Sequence, residues 1–450
     1  MDVRGQKVVV AGLGRTASAL CRLLLREGAR PFVSELTDSD RLAPHKRELD
    51  ALGVPYECGG HSRTAFDDAE VVIPSPGVPP DIEPVAEARR RGARVMSEME
   101  FAYRYCGSRI LAVTGTNGKT TTTELLRALI AACGRSVVLA GNNRQPFSAA
   151  VIADPPPEFI VLEVSSYQLE LADQFHPWIG AVLNVTPDHL ARHRTVEEYA
   201  RVKSFLFRRQ QPGDMAVVNE DDEWTSRMSG PNAESTWRFS LEKPVDRGLW
   251  VHDGAICDGA EEVARVEDNP LPGRHNLSNA LAALTMARAG GFPWGCVLDG
   301  LRAFRGVEHR IEYVTTIDGV EYYNDSKSTN LDSLRVALES FASPVVLLAG
   351  GRGKGADYRT LRDQVRARVK HLVVFGEDAA LLANAYGDLV PVAQATSMEQ
   401  AVHLAANAAS SGDVVLLSPA CASFDMFDDF EHRGRVFKDC VLAYAKDHEQ

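Results

Sequence analysis

The sequence predicts an α/β protein of parallel sheets divided into two or three domains, on three observations. Short β-branched apolar runs alternate with amphipathic helical stretches almost throughout. The apolar runs are continuous, as in strands covered on both faces by helices. The chain also has 450 residues, more than one ordinary core accommodates.

KVVVAGLG (7–14) is the first strand, and it leads into the helical TASALCRLLLREG (16–28). EVVIPSPG (70–77) is another strand, followed by the helical PVAEARRRGARV (84–95). ILAVTGT, FIVLEVSS, GAVLNVT and MAVVNEDD then recur between residues 110 and 222, with TTTELLRALIAACG (121–134) as the first intervening helix. PVVLLAGG, HLVVFGE and DVVLLSPA supply the strands of the last third. A break before ILAVTG, and a change near Arg305–Val314 from NLSNALAALTMA to EYVTTIDGVEYYND, divide the chain at 1–97, 98–308 and 309–450.

Hydrophobic residues make up 45% of the chain and charged residues 24%, a soluble globular composition. The net charge of −12 is spread along the chain, which argues against a general nucleic-acid surface. The N-terminus enters a strand directly, without a signal peptide, and no run of about 18 apolar residues predicts a membrane span. The eight cysteines (21, 58, 106, 133, 257, 296, 421 and 440) form no C-x-x-C pair. They read as free thiols of a cytoplasmic protein, with no metal framework.

Gly12-Leu13-Gly14-Arg15-Thr16-Ala17 fits G-x-G-x-x-[GA] between a strand and a helix, with Glu35 after the next strand. Such glycines let phosphates approach a helix N-terminus, and alone they would support an NAD-dependent dehydrogenase. The alternative is a tight turn with no ligand. Ser75-Pro76-Gly77 ends another strand and would line the same crevice.

VTGTNGKTT (113–121) resembles a phosphate loop running into a helix, yet Val113 stands where G-x-x-x-x-G-K-[ST] has its first glycine. The physics requires only a tight turn with exposed N–H groups, here from Gly115, Asn117, Gly118 and Lys119. Lys119 would neutralise β- and γ-phosphates, and Thr120 would offer its hydroxyl to Mg²⁺. Glu163 ends an apolar strand, where a nearby cation, either a metal or an Arg or Lys, would offset the cost of burying its charge. His189 follows another strand end and is either a metal ligand or a structural histidine.

These residues resemble the Mur ligase and folylpolyglutamate synthase family, whose loop reads T-G-[TS]-N-G-K-[TS]. SPGVPP, TGTNGKTT, LEVSSYQLE, NVTPDH, RHNLSNALAA, EHR, NDSKSTN, GGRGKGAD and SPACASFDMF occur in the order of its D-glutamate-adding branch, across nearly the whole chain. The resemblance implies a Rossmann-like N-terminal domain, a central P-loop ATPase domain with a parallel sheet, and a Rossmann-like C-terminal domain. It implies a cytoplasmic monomeric enzyme of peptidoglycan precursor synthesis. Its substrates would be ATP, D-glutamate and UDP-N-acetylmuramoyl-L-alanine (UDP-MurNAc-L-Ala), with two Mg²⁺ ions and no nucleic-acid or membrane partner.

Carried over residue by residue, Gly14, Arg15, Thr16, Glu35, Ser75, Gly77 and Asn142 would hold the UDP substrate. Gly115, Thr116, Asn117, Gly118, Lys119, Thr120 and Thr121 would hold ATP phosphates. Asn276 and Asn279 would meet adenine, with Arg310 and Asp325 at the ATP phosphates and ribose. Lys119, Glu163, His189 and Lys203 would be catalytic. Metal would be held by Thr120, Glu163, His189 and Lys203, the last as a carbamate; read without the resemblance, Lys203 is a solvated helix lysine. Lys327, Thr329, Lys354, Ser423, Phe424 and Phe430 would form the D-glutamate pocket, where lysines suit a substrate with two carboxylates.

The chain departs from the family pattern at Asn143-Arg144, at Ala191, and at Leu36 and Thr37 after Glu35. Four rival readings stand beside the D-glutamate ligase: another Mur-type ligase, folylpolyglutamate synthase, a nucleotide-binding regulator and the dehydrogenase. SPACASFDMF and the lack of a D-N-P-R stretch weigh against the diaminopimelate- or lysine-adding step.

Overall fold

The structure, a computed structural model, describes residues 1–142 and 145–448, and it leaves out the side chains of Ala191 and Asp447. Asn143 and Arg144 therefore lie outside the described residues, as does the side chain of Ala191. The chain divides into two compact units, Met1–Asp268 with Ser278–Ala303, and Asn269–Leu277 with Phe304–Gln450.

Among the described residues the first unit contains two sheets. Strands β1 (Lys7–Ala11), β2 (Arg30–Ser34), β3 (Tyr56–Glu57), β4 (Val71–Pro74) and β5 (Arg94–Val95) pair in parallel in the order β3-β2-β1-β4-β5, a doubly wound arrangement. The continuous apolar run of β1 serves both faces. Val8 and Val10 pack with Leu20 and Leu24 of the helix Arg15–Arg26, while Val9 and Ala11 pack with Phe66 and Val85.

The second sheet comprises β6 (Arg109–Thr114), β7 (Val137–Gly141), β8 (Phe159–Glu163), β9 (Ile179–Val182), β10 (Met215–Asn219), β11 (Thr236–Ser240), β12 (Gly248–His252), β13 (Ala255–Asp258) and β14 (Glu261–Arg265). Among the described residues its order is β14-β13-β12-β11-β10-β9-β6-β8-β7. Pairing is parallel from β7 across to β12 and antiparallel for β12–β13 and β13–β14, so the expected parallel arrangement stops at this edge. The cause is local. Asp253-Gly254, with φ of 46° and 76°, forms the two-residue turn that suits an antiparallel hairpin.

Between the two sheets, the helix Glu98–Tyr103 is held by its acidic residues. Buried Glu100 accepts N–H groups of Asp173 (2.9 Å) and Phe175 (3.0 Å) and pairs with Arg104 Nη2 at 2.6 Å. Glu98 accepts the Ser148 N–H at 2.6 Å, and burial raises its pKa.

The reading of all eight cysteines as free thiols is corrected by a disulfide between Cys133 and Cys296, whose Cα atoms lie 5.0 Å apart. The helices Lys119–Ala132 and Trp294–Ala303 approach closely because Gly300 lacks a side chain; a Cβ there would meet Leu129 Cα at 3.1 Å. That approach brings together cysteines separated by 163 positions. Cys21, Cys58, Cys106, Cys257, Cys421 and Cys440 are free.

The second unit carries β15 (Glu312–Ile317), β16 (Val320–Asn324), β17 (Val345–Gly350), β18 (Val369–Phe375), β19 (Val392–Gln394) and β20 (Val414–Leu417), in the order β15-β16-β20-β17-β18-β19. Only β15–β16 is antiparallel, turning on Asp318-Gly319 with φ of 51° and 77°. Leu347 and Leu416 belong to the core on one face of this sheet, and Val346, Val415 and Leu417 to that on the other. Among the described residues, no helix is long and apolar enough to cross a membrane.

Candidate active site

In the first unit the phosphate loop, Asn142, Glu163 and His189 lie at or just beyond the carboxyl ends of β6, β7, β8 and β9, where open parallel sheets bind ligands. Strand β6 ends at Thr114, and the loop turns through Gly115 (φ 157°) and Gly118 (φ 84°) into the helix Lys119–Ala132. Gly118 is required on two counts. Its φ is left-handed, and a Cβ would fall 2.1 Å from Asn279 Oδ1. Asn279, expected at adenine, therefore packs against the head of the phosphate-loop helix.

Lys119 Nζ donates to the carbonyls of Gly115 (2.8 Å) and Thr116 (2.7 Å). The first turn of the helix points its N–H groups outward, as a phosphate site requires. Thr120 and Thr121 are buried in that turn. One expectation is corrected: the Asn117 N–H is not free for phosphate but donates to Asn184 Oδ1 at 2.8 Å.

Glu163, at the end of β8, is fully buried and pairs in register with Val113 on one side and Gly141 on the other. Asn142 donates its backbone N–H to Glu163 O (2.9 Å) and its amide to Glu163 Oε1 (3.2 Å), so it is tied to the strand next to the one that leads into the phosphate loop.

His189 is exposed, with φ of 53°, its Nδ1 3.2 Å from the Tyr167 hydroxyl and its Nε2 3.6 Å from Asp188. A solvated position for Lys203 is excluded, because only 1% of the residue is exposed and its Nζ lies 4.2 Å from the centre of the Tyr199 ring. Burial pushes the Lys203 pKa well below its ordinary value; the charge of Lys119 adds to the shift and Asp188 opposes it.

A cleft of about 660 Å³, including its open mouth, is lined by Arg15, Thr16, Ser75, Asn142, Tyr167 and Arg192 among others. It brings four of the proposed UDP-substrate residues together with two that the sequence alone does not single out. Gly14 precedes the helix that carries Arg15, and Gly77 is exposed beside Ser75. Glu35, expected at the UDP substrate, also has a structural task. It accepts the N–H groups of Leu13 (2.7 Å) and Thr37 (2.9 Å), bracing the glycine turn. Burial raises its pKa, but those hydrogen bonds outweigh it and the net shift is downward.

Arg192, in the lining of the cleft, pairs with Glu170 at 2.6 Å, and buried His193 lies 2.9 Å from Ser166 Oγ. Tyr167, Arg192 and His193 lie within or just after motif residues, so their neighbours in the sequence are the signal that could have found them.

In the second unit, buried Arg433 donates to Ser326 Oγ (2.9 Å), Ser326 O (2.8 Å) and Cys421 O (3.1 Å). It thereby ties the segment carrying Lys327 and Thr329 to the segment carrying Ser423 and Phe424. Lys327 Nζ lies 5.7 Å from the Phe430 ring centre. Ser423 is buried and Phe424 is exposed. Lys354 is exposed on a loop whose Arg352 exchanges two backbone hydrogen bonds of 2.9 Å with Ala422, beside Ser423.

Asp325 is buried, accepting Ser418 Oγ at 2.8 Å and the Ile311 N–H at 3.2 Å. Burial pushes its pKa up to about 7, against those hydrogen bonds and the charge of Arg310. Asn276 donates its amide to Pro272 O at 2.7 Å. Burial also pushes the Cys421 thiol up to about 11, unsuited to a nucleophile. Among the described residues one further ligand-type group occurs, Glu308–His309–Glu312. Lys438 already pairs with its acids at 2.7 and 2.9 Å, as a structural tie would.

Comparison with known proteins places this geometry in a family. The Mur ligase MurD-like N-terminal domain matches residues 6–97, the Mur ligase middle domain residues 113–287, and the Mur ligase glutamate ligase domain residues 309–421. A UDP-N-acetylmuramoylalanine–D-glutamate ligase of Pelotomaculum thermopropionicum is 43% identical over 99% of both chains. Its namesake from Acidobacterium capsulatum is 40% identical over 99% of this chain and 98% of its own.

Among solved structures, the UDP-N-acetylmuramate-alanine ligase MurC of Thermotoga maritima shares the fold with a TM-score of 0.61 at 20% identity, covering 97% of this chain and 99% of its own. MurF ligase of the same organism, in complex with ADP, gives 0.58 at 18% identity, covering 98% and 99%. With its phosphate loop, its parallel-rich sheets and full-length relatives at this identity, the chain belongs to the Mur ligase family.

Proposed function

We propose that the chain is an ATP-dependent amide ligase that adds D-glutamate to UDP-MurNAc-L-Ala in peptidoglycan precursor synthesis. The observation that carries this reading is the phosphate loop at the end of β6, flanked in register by buried Glu163 and near a buried lysine, Lys203. The full-length relatives support the choice of substrates. They do not favour a dehydrogenase, a nucleotide-binding regulator, folylpolyglutamate synthase or another Mur-type ligase.

The substrate carboxylate attacks the γ-phosphorus of ATP, giving an acyl phosphate and ADP. The amine of D-glutamate adds to the acyl carbon, and phosphate leaves as the amide forms. Lys119 and the first-turn N–H groups neutralise charge on the transferred phosphoryl group. Arg15, Thr16, Ser75 and Asn142 hold the UDP substrate in their cleft. Lys327, Lys354 and Ser423 receive the carboxylates of D-glutamate, and Arg310 and Asp325 serve the nucleotide.

The donor set also suits Mg²⁺. Glu163 is a buried carboxylate, and burial favours the neutral Lys203 amine, the form that takes up CO₂ as a carbamate with loss of a proton. Thr120, Glu163, His189 and carbamylated Lys203 would hold Mg²⁺, which supplies positive charge at the phosphate oxygens. The enzyme works as a monomer in the cytoplasm on small-molecule substrates.

Phosphate release is the test, with ATP, Mg²⁺, UDP-MurNAc-L-Ala and one candidate amino acid at a time. Turnover with D-glutamate and not with L-lysine, diaminopimelate or a folate substrate is expected. Turnover confined to any of those three overturns the assignment.

A further inference from the structure

We propose that Asn184 is the positioning residue that sets the short phosphate loop in its nucleotide-receiving shape; the inference rests on the reading of Thr114–Thr120 as the ATP loop. Asn184 follows β9, the strand beside β6. Three consecutive peptides of the loop meet it or its neighbours. Thr116 donates its N–H to Asn184 O at 3.0 Å. Asn117 donates its N–H to Asn184 Oδ1 at 2.8 Å, and Asn184 Nδ2 donates back to Asn117 O at 3.1 Å. The clasp is extended by Thr186, whose N–H donates to Thr116 Oγ1 at 3.0 Å, and by Leu183, whose N–H donates to Thr114 O at 3.0 Å.

The consequence follows from the planar trans peptide, in which C=O and N–H point opposite ways. Turning the Thr116 and Asn117 N–H groups toward Asn184 turns the Gly115 and Thr116 carbonyls to the other side. There they accept Lys119 Nζ at 2.8 and 2.7 Å. Holding the Asn117 carbonyl toward Asn184 directs the Gly118 N–H to the same side as Lys119. One asparagine thus sorts the loop into a clasped face and a face bearing the lysine and the glycine N–H. The clasp does the shaping that the ordinary loop assigns partly to the glycine missing at Val113. An amide is required, because the side chain both accepts from and donates to a single residue, Asn117.

Three variants test the idea, with KM for each substrate, kcat and nucleotide-free thermal midpoint as readouts. Asn184→Ala is expected to raise KM for ATP by about tenfold or more, the effect of losing a hydrogen-bonded pair at a binding loop. KM for UDP-MurNAc-L-Ala and for D-glutamate should stay at wild-type values. Asn184→Asp keeps the shape and the acceptor but loses the donor and adds a charge repelling phosphate, so it should weaken ATP at least as much. It decides the matter if the alanine variant does not fold.

Lys119→Ala separates the two readings. If Lys119→Ala leaves KM for ATP unchanged, the ATP-loop reading fails. If Lys119→Ala abolishes ATP use while both Asn184 variants keep wild-type KM for ATP, only the Asn184 proposal is overturned. Hydrogen exchange of the unaltered protein gives an independent check. Slow exchange of the Asn117 amide is expected, and exchange at the rate of an open loop sinks the clasp.

Discussion

Lys203 and Asp325 are two candidate-site residues whose chemistry is changed by their surroundings. Lys203 is buried over a tyrosine ring and near a second lysine, an arrangement that stability alone does not favour. Replacing it by methionine keeps the aliphatic stem and removes a desolvated amine. Lys203→Met is therefore expected to leave the thermal midpoint unchanged or raised, while ligation falls by about 100-fold or more. A variant that loses stability and activity in parallel would show the lysine to be structural. Asp325 titrates at about 7 when folded against an ordinary 3.8. Between those values the folded state binds more protons than the unfolded one, so the second unit loses stability as pH rises through this window. The loss is about 4 kcal/mol at its upper limit, three pKa units at 1.36 kcal/mol each. Asp325→Asn should flatten the urea-unfolding profile between about pH 4 and pH 7. Equal slopes for variant and wild type would mean that the Asp325 carboxyl does not titrate as its burial implies.

At the scale of elements, the ends of β7 and β8 show how closely backbones approach beside the candidate site. Gly141 has φ of 103°, and a Cβ there would lie 2.2 Å from the carbonyl oxygen of Glu163, a backbone atom held in the ladder. Gly134, just past the phosphate-loop helix, also has positive φ (72°), but open space surrounds its would-be Cβ. The two glycines separate conformational cost from collision. Gly134→Ala should cost about 1 kcal/mol, the left-handed penalty alone. Gly141→Ala should cost clearly more, about 3 kcal/mol, because β8 cannot yield without disturbing Glu163. Denaturant midpoints of the two variants give the comparison, and equal losses would refute the collision. The loss at Gly141 should also carry into activity, since Asn142 and Glu163 share that contact.

At the scale of the whole molecule, what was legible in the sequence is what is contiguous in it. KVVVA, ILAVT and VVLLAG announce themselves as buried strands because both faces of each are covered. The phosphate loop is readable because its parts are adjacent. The edge hairpins are harder, because GLWVH and EYVTTI mix polar and apolar residues, although Asp253-Gly254 and Asp318-Gly319 were available as turn signals. The Asn184 clasp joins residues 67 positions apart, and Lys203 shares a helix with exposed Arg201, so only the fold reveals either role. The Cys133–Cys296 bond is the extreme case, since spacing says nothing about two helices meeting at Gly300. Its effect should be on stability and not on catalysis. Closing so long a loop restricts the unfolded chain and contributes about 2–4 kcal/mol. Yet Cys133 lies at the far end of a 14-residue helix from the phosphate loop, about 20 Å away. Reduction by dithiothreitol, or the double variant Cys133→Ser with Cys296→Ser, is expected to lower the calorimetric unfolding temperature of the first unit by several degrees. KM for ATP and kcat, measured well below that temperature, should not move. Identical unfolding temperatures for oxidised and reduced protein would show that the bond contributes nothing, and a change in KM for ATP would show that strain reaches the loop.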